Sequence, residues 1–254
     1  MFPLYDENPR LRVPLVTVAI IALNIASWIF LQGLGTKSTL AGSLCLYGLI
    51  PADLLGIAKA GTLIPIAPGL ACVIDNGTPW YTLLTSMFMH GSWFHIIGNL
   101  WFLWVFGDNV EEAMGRFRFA LFYVVCGLAA AAAQVMTDTH SLAPMVGASG
   151  AIGGVMGAYA RLFPKVQVHN LIFFGFFITT IALPAYLMLG YWIVLQVLGG
   201  LPALTGSVSG GVAFWAHIGG FAAGILLAGP LSQRRHLAAI ASARRRLHSR
   251  HQWF

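Results

Sequence analysis

The stretch MVGASGAIGGVMGAYARLF, residues 145–163, carries a single serine near its start and no charge until Arg161. Gly150/Gly154 and Gly153/Gly157 are each spaced by four, so small residues line one side of any helix formed here. That pattern lets a partner backbone come close. At 1.5 Å per residue, about 19 residues are enough to cross the hydrocarbon core of a bilayer. The open question is what a lone hydroxyl, Ser149, does among glycines.

The rest of the chain places this helix in a membrane. Of 254 residues, 58% are hydrophobic and 9% are charged, with mean hydropathy +0.78. A water-soluble domain carries about a quarter of its residues charged; this chain lacks the polar side chains to coat a globule. Six apolar runs, cut by Pro, Gly or charge, lie near 13–31, 94–110, 117–136, 145–163, 184–201 and 211–230. The expected fold is therefore an all-α polytopic bundle of six transmembrane helices. The first run is expected to be retained as a span, because no small-residue cleavage site follows it. The run 168–199 is too long for one span and too short for two, so the crossing is placed after Pro184. Residues 168–183 become an interfacial or cytoplasmic piece. Residues 35–90 form one long first outer loop. The organisation expected is a cytoplasmic N-terminus (1–12), a membrane domain (13–230) and a basic cytoplasmic tail (231–254).

Charge sets the orientation. With the N-terminus inside, 12 of the 14 Lys and Arg fall on the inner side, and only Lys37 and Lys59 fall outside. This is the positive-inside bias. Reading 168–199 as a hairpin would export the six arginines of the tail, which also favours six spans. The tail RRHLAAIASARRRLHSRHQ (234–252) is read as a topology anchor meeting anionic lipid, without a nucleic-acid partner.

No Asp, Glu, Lys or Arg falls in the middle of a span. Ser149, His217 and the set His90, His95, Asn99 stand out as polar groups at membrane depth, where such side chains are functional candidates. Taken singly, each has a plain structural explanation: Ser149 as a helix-packing residue, His217 as a neutral ring bonded to a neighbouring helix. Taken together they share a layer. Spans two, four and six all run from outside to inside, and Ser149 and His217 each lie about five or six residues in, roughly 7–9 Å below the outer ends. His95 and Asn99, at i and i+4, share a face in the same layer. Ala216/Gly220/Gly224 in span six repeats the small-residue spacing of span four.

These residues resemble a known family. GASG (147–150), HGSWFHIIGN (90–99) and AHIGGFAAG (216–224) together look like a rhomboid intramembrane serine protease, over about residues 80–230. The resemblance implies Ser149 as nucleophile and His217 as general base. It implies His95, Asn99 and the Ser149 backbone N–H as oxyanion donors, with His90, Gly147 and Gly150 in support. It also implies substrates that are single-pass membrane proteins, cut near the outer end at small residues. No carboxylate is available to orient the imidazole, so a Ser-His dyad is expected. Two positions depart from the family pattern. Gly153 stands where many relatives carry an aromatic stacked on the histidine, a role left to Phe214 or another ring. Trp80-Tyr81 stands where Trp-Arg is frequent, which removes a loop-stabilising ion.

Two other functions compete. A non-catalytic rhomboid-like protein would bind membrane segments, but such relatives lack the Ser or the His kept here. A metal-handling protein would need ligands converging with His90, His95 and His217, and no Cys or carboxylate joins them. Neither a metal nor a cofactor is expected. Few serines and early acidic residues (Asp6, Glu7) favour a bacterial inner membrane over a mitochondrial address. Cys126 reads as a small buried hydrophobe. Cys45 and Cys72 either pair in an oxidising exterior or remain two buried thiols.

Overall fold

A computed structural model describes residues 2–75, 77–174, 177–204 and 211–251. Helix α1 (Leu15–Ala26) continues through a π-helical turn, Ser27–Leu31. The short helices α2 (Lys37–Tyr47), α3 (Pro51–Leu54) and α4 (Thr82–Thr85) follow. Six longer helices come next: α5 (Trp93–Met114), α6 (Arg116–Thr137), α7 (Ser149–Leu162), α8 (Ala185–Leu204), α9 (Phe214–Leu231) and α10 (Arg234–His251). Among the described residues, α6, α8 (over Ala185–Pro202) and α9 are long and apolar enough to cross a membrane. The other three expected spans fall on α1, α5 and α7, and the last two depart visibly from a uniform apolar run. α5 ends in Asp108, Glu111 and Glu112, and α7 has only 14 residues.

α7 begins later than the sequence suggests. The expected span starts at 145; the helix starts at Ser149. Residues before it are held in non-helical conformation by distant partners: Met145 exchanges two backbone hydrogen bonds with Leu49, and Gly147 N–H donates to the Ser86 carbonyl at 2.9 Å. Gly147 has φ +126°, a left-handed conformation that side-chain-bearing residues rarely adopt.

From Gly150 to Tyr159 every residue of α7 is buried, as expected for a helix apolar on all sides. It packs against α5, α6 and α9. Against α9 the contact is backbone on backbone: a Cβ on Gly220 would run into the Gly150 carbonyl, and one on Gly224 into the Gly154 carbonyl. Phe106, Phe119, Phe122, Tyr123, Met156 and Tyr159 are fully buried.

The expectation of an all-α fold needs correction. β1 (Phe2–Asp6), β4 (Gln167–Phe174) and β5 (Phe177–Pro184) form an antiparallel sheet in the order β1-β4-β5. The piece read as 168–183 is thus a hairpin, although residues 175 and 176 lie outside the described set. Its β-branched and aromatic content suits strands, and its pairing is non-local, with Phe2 opposite Leu171 and Asp6 opposite Val168. Val168 and Asn170 face inward while His169 faces out and stacks on Tyr5 at 4.4 Å. A second hairpin, β2 (Leu63–Ala67) with β3 (Leu70–Val73), lies within residues 35–90. A disulfide joins Cys45 on α2 to Cys72 on β3, with Cα atoms 5.3 Å apart.

Charges gather at the end of the bundle where α5 finishes. Arg10 pairs with Asp108 at 2.7 Å. Glu111 accepts from the backbone N–H groups of Val16 and Thr17 and from the Thr17 hydroxyl, satisfying donors left free at the start of α1. Asp6 accepts from Tyr159 and Asn109, and burial lifts its carboxyl to about 7. The tail expected after residue 231 folds as α10, whose approach is fixed by Gln233 N–H and Nε2 donating to the Ala113 and Met114 carbonyls.

Two measurements check this fold. Digestion without reduction recovers the Cys45 and Cys72 peptides as one linked species; alkylation of both thiols without a reductant contradicts the bond. Closing a loop of this length is worth about 3 kcal/mol, so Cys45→Ala loosens the segment by a similar amount. Gly153→Phe should lower the thermal midpoint, because its Cβ would sit 2.9 Å from the His217 carbonyl oxygen. Overpacking of this kind costs about 1–3 kcal/mol, and an unchanged or higher midpoint would refute the contact.

Candidate active site

The site forms where the first turns of α5, α7 and α9 meet. α5 is started by Ser92, whose Oγ accepts from the His95 backbone N–H at 3.2 Å, a favoured N-cap arrangement. One turn in, His95 and Asn99 share a face. His95 Nδ1 accepts from the Gly91 N–H at 3.3 Å, and its ring meets His90 edge-on at 5.1 Å. Gln32 clamps the backbone of His90 on both sides, donating to its carbonyl and accepting from its N–H. Burial, with the nearby His95 ring, pushes the His90 imidazole down to about 3, so it stays neutral.

Ser149 is the first residue of α7, and His217 lies in the first turn of α9. Their side chains meet: His217 Nε2 is 2.8 Å from Ser149 Oγ. The missing side chain of Gly147 makes room for the third party, since a Cβ there would lie 2.7 Å from His95 Nε2 and 3.4 Å from Ser149 Oγ. Gly150 in turn lets α7 sit against Ala130 of α6. The first N–H groups of an α-helix have no intrahelical acceptor, and Ser149, Gly150 and Ala151 hold those places. Asn99 is buried, and its Nδ2 has no partner among the described residues. His95, Asn99, Ser149 and His217 all line one cavity of about 620 Å³, walled by Phe94, Phe102, Met156 and Trp192.

Three residues that the sequence reading passed over complete the site. Gln196 on α8 places Oε1 2.7 Å from His217 Nδ1. Gln134 on α6 accepts from the Ala216 N–H at 3.2 Å, gripping the start of α9. Trp192 on α8 supplies the ring beside His217, with centroids 5.8 Å apart. Of the two alternatives, Phe214 or another ring, it is the other ring that lies there, while the Phe214 ring lies against Gly199. Both glutamines lie inside apolar runs, so attention to uncharged polar residues at membrane depth, and not to charged ones alone, would have found them. At the second family departure, Tyr81 Oη donates to the Leu46 carbonyl at 3.2 Å and ties α4 to α2 without an ion. Among the described residues, no group of three or more His, Cys, Asp or Glu could hold a metal.

An imidazole nitrogen within hydrogen-bond reach of a serine hydroxyl is the contact that activation of a nucleophile requires. Comparison with known proteins identifies the family. The family model for the Rhomboid domain matches residues 77–234. The chain is 28% identical over 166 residues to Rhomboid-like protein 11, chloroplastic, of Arabidopsis thaliana, covering 62% of this chain and 55% of that protein. It is 27% identical over 190 residues to Rhomboid protein 1, mitochondrial, of Saccharomyces cerevisiae (71% and 49% covered). It is 33% identical over 103 residues to Rhomboid protease GluP of Bacillus subtilis (41% and 20% covered). The chain thus spans about half the length, or less, of these relatives. The matched region contains every residue of the Ser149–His217 layer, and the chain belongs to the rhomboid family.

Proposed function

We propose that the chain is an intramembrane serine endopeptidase that cuts single-pass membrane proteins with a Ser149–His217 dyad. The observation that carries this reading is the 2.8 Å contact between His217 Nε2 and Ser149 Oγ, set on the wall of the 620 Å³ cavity. His217 takes the hydroxyl proton as Ser149 Oγ attacks the scissile carbonyl carbon. The carbonyl oxygen becomes an oxyanion, met by the Ser149 N–H, His95 and the Asn99 Nδ2. His217 then returns the proton to the leaving amine as the C–N bond breaks. A water, activated by the same ring, hydrolyses the acyl-serine and restores both groups. Donors held in place before the reaction stabilise the transition state without reorganising; losing one typically costs about 10²–10³ in rate.

The membrane arrangement belongs to the same proposal. Six spans (α1, α5, α6, α7, α8 and α9) put both termini in the cytoplasm and open the site to the outer side. The domain limits are 1–12, 13–230 and 231–254. The separation of charge along α5 supports this: His95 and Asp108 are 13 residues apart, about 20 Å of helix. The membrane is a bacterial inner membrane. The alternative, a rhomboid-like protein that holds membrane segments without cutting them, is separated by the same experiment.

Ser149→Ala and His217→Ala should each abolish cleavage of a model transmembrane substrate in detergent, and the double variant should be no worse, because the pair acts as a unit. A fluorophosphonate should label Ser149 in the wild type and spare His217→Ala. Normal turnover by Ser149→Ala overturns the reading. For the topology, a cysteine introduced at Lys59 should react with an impermeant maleimide on intact cells, and one introduced at Lys165 should not. The reverse pattern would invert the orientation.

A further inference from the structure

We infer that Gln196 is a positioning residue whose amide carbonyl holds His217 with its proton on Nδ1, leaving Nε2 bare to accept from Ser149. The inference deepens the protease reading and rests on it for its kinetic consequence, though not for the tautomer itself.

A primary amide inside an apolar helix is costly unless its polar atoms are satisfied. Gln196 meets that condition at both ends. Its Oε1 is 2.7 Å from His217 Nδ1, and its Nε2 donates to the Trp192 carbonyl one turn earlier at 3.4 Å. Turning the amide over would lose the bond to the Trp192 carbonyl and set Oε1 against it, two acceptors face to face, while the amide N–H groups turned to Nδ1 instead. The carbonyl therefore faces the ring, and a carbonyl only accepts. Nδ1 must then be the donor. A neutral imidazole carries one proton, so fixing it on Nδ1 leaves the Nε2 lone pair directed at Ser149 Oγ, 2.8 Å away. This is the protonation state a general base needs. With the opposite tautomer, Nε2 would present a hydrogen to the serine and could not take its proton.

In triads with a carboxylate, the Asp plays this part and also stabilises the imidazolium; its replacement by Asn fixes the wrong tautomer and lowers kcat about 10⁴-fold. A neutral amide supplies orientation and a dipole without a charge, so a smaller effect is expected here. Outer partners of histidines bound to metals give a scale of about 10–100-fold. Trp192, on the same face of α8 one turn back, packs against the same ring. One helix face thus limits both the rotation of the imidazole and the position of its proton.

The test uses the full chain in detergent, with Gln196→Met, which keeps the length and removes the acceptor, and Gln196→Glu, which keeps an acceptor oxygen. Gln196→Met should slow fluorophosphonate labelling of Ser149 and lower kcat by about 10–100-fold, with KM and the thermal midpoint near wild type. Gln196→Glu should recover most of that loss. Nitrogen-15 shifts of the His217 ring, assigned by difference from His217→Ala, should report Nδ1–H in the wild type and a mixture of tautomers in Gln196→Met. If the wild type labels at Ser149 and Gln196→Met labels equally fast with the same tautomer, the inference fails and the protease reading stands. If the wild type does not label, the protease reading fails, and the nitrogen shifts still decide the role of Gln196: Nδ1–H lost in Gln196→Met upholds it, and unchanged shifts overturn it. Should Gln196→Met lower the thermal midpoint, Gln196→Leu repeats the comparison.

Discussion

The contact of α7 with α9 through bare backbone is the constraint from which the rest follows. With Gly220 and Gly224 set against the Gly150 and Gly154 carbonyls, no side chain separates the two helices. Only at that separation can a short serine side chain reach an imidazole on the neighbouring helix. In lipid there is no hydrophobic gain from bringing apolar helices together, so packing of this closeness must come from dispersion contacts and shape. The glycines that make the interface and the residues that meet above it are parts of one device.

Much of the site was legible because polar groups are rare in this chain. Ser149, His217, His95 and Asn99 stand out against their runs, and helical spacing alone puts them in one layer. Gln196 and Gln134 were as visible but were overlooked beside them, since their partners are a ring nitrogen and a helix N–H on other helices. The apolar runs located the long helices. What the sequence could not provide was the place where α7 begins, because Leu49 and Ser86, far along the chain, hold residues 145–147 out of the helix. The β1-β4-β5 sheet was hidden for the same reason, as its first strand pairs with residues more than 160 positions away. Cys45 and Cys72 could be named as a possible pair, but their proximity depends on how the β2-β3 hairpin folds back on α2.

The opposite end of the bundle does different work. Glu111 caps α1, Arg10 neutralises Asp108, and Asp6 is enclosed by Tyr159 and Asn109. These groups tie the N-terminal strand, α1, α5 and α7 together about 20 Å along α5 from His95. Gathering these acids at that end keeps carboxylates away from the Ser149–His217 contact. It also explains how a chain with so few charged residues has a well-determined end: most of the acids it possesses are committed to specific donors.

Asn99 has a consequence for ligand chemistry. Its amide nitrogen is buried and has no partner among the described residues, and it lines the same cavity as Ser149. An unmet donor in such surroundings is already desolvated, so a partner oxygen gains the bond without first breaking another. A ligand that sets an acceptor oxygen beside Asn99 and an apolar arm between Phe94 and Trp192 would gain that bond together with apolar contact.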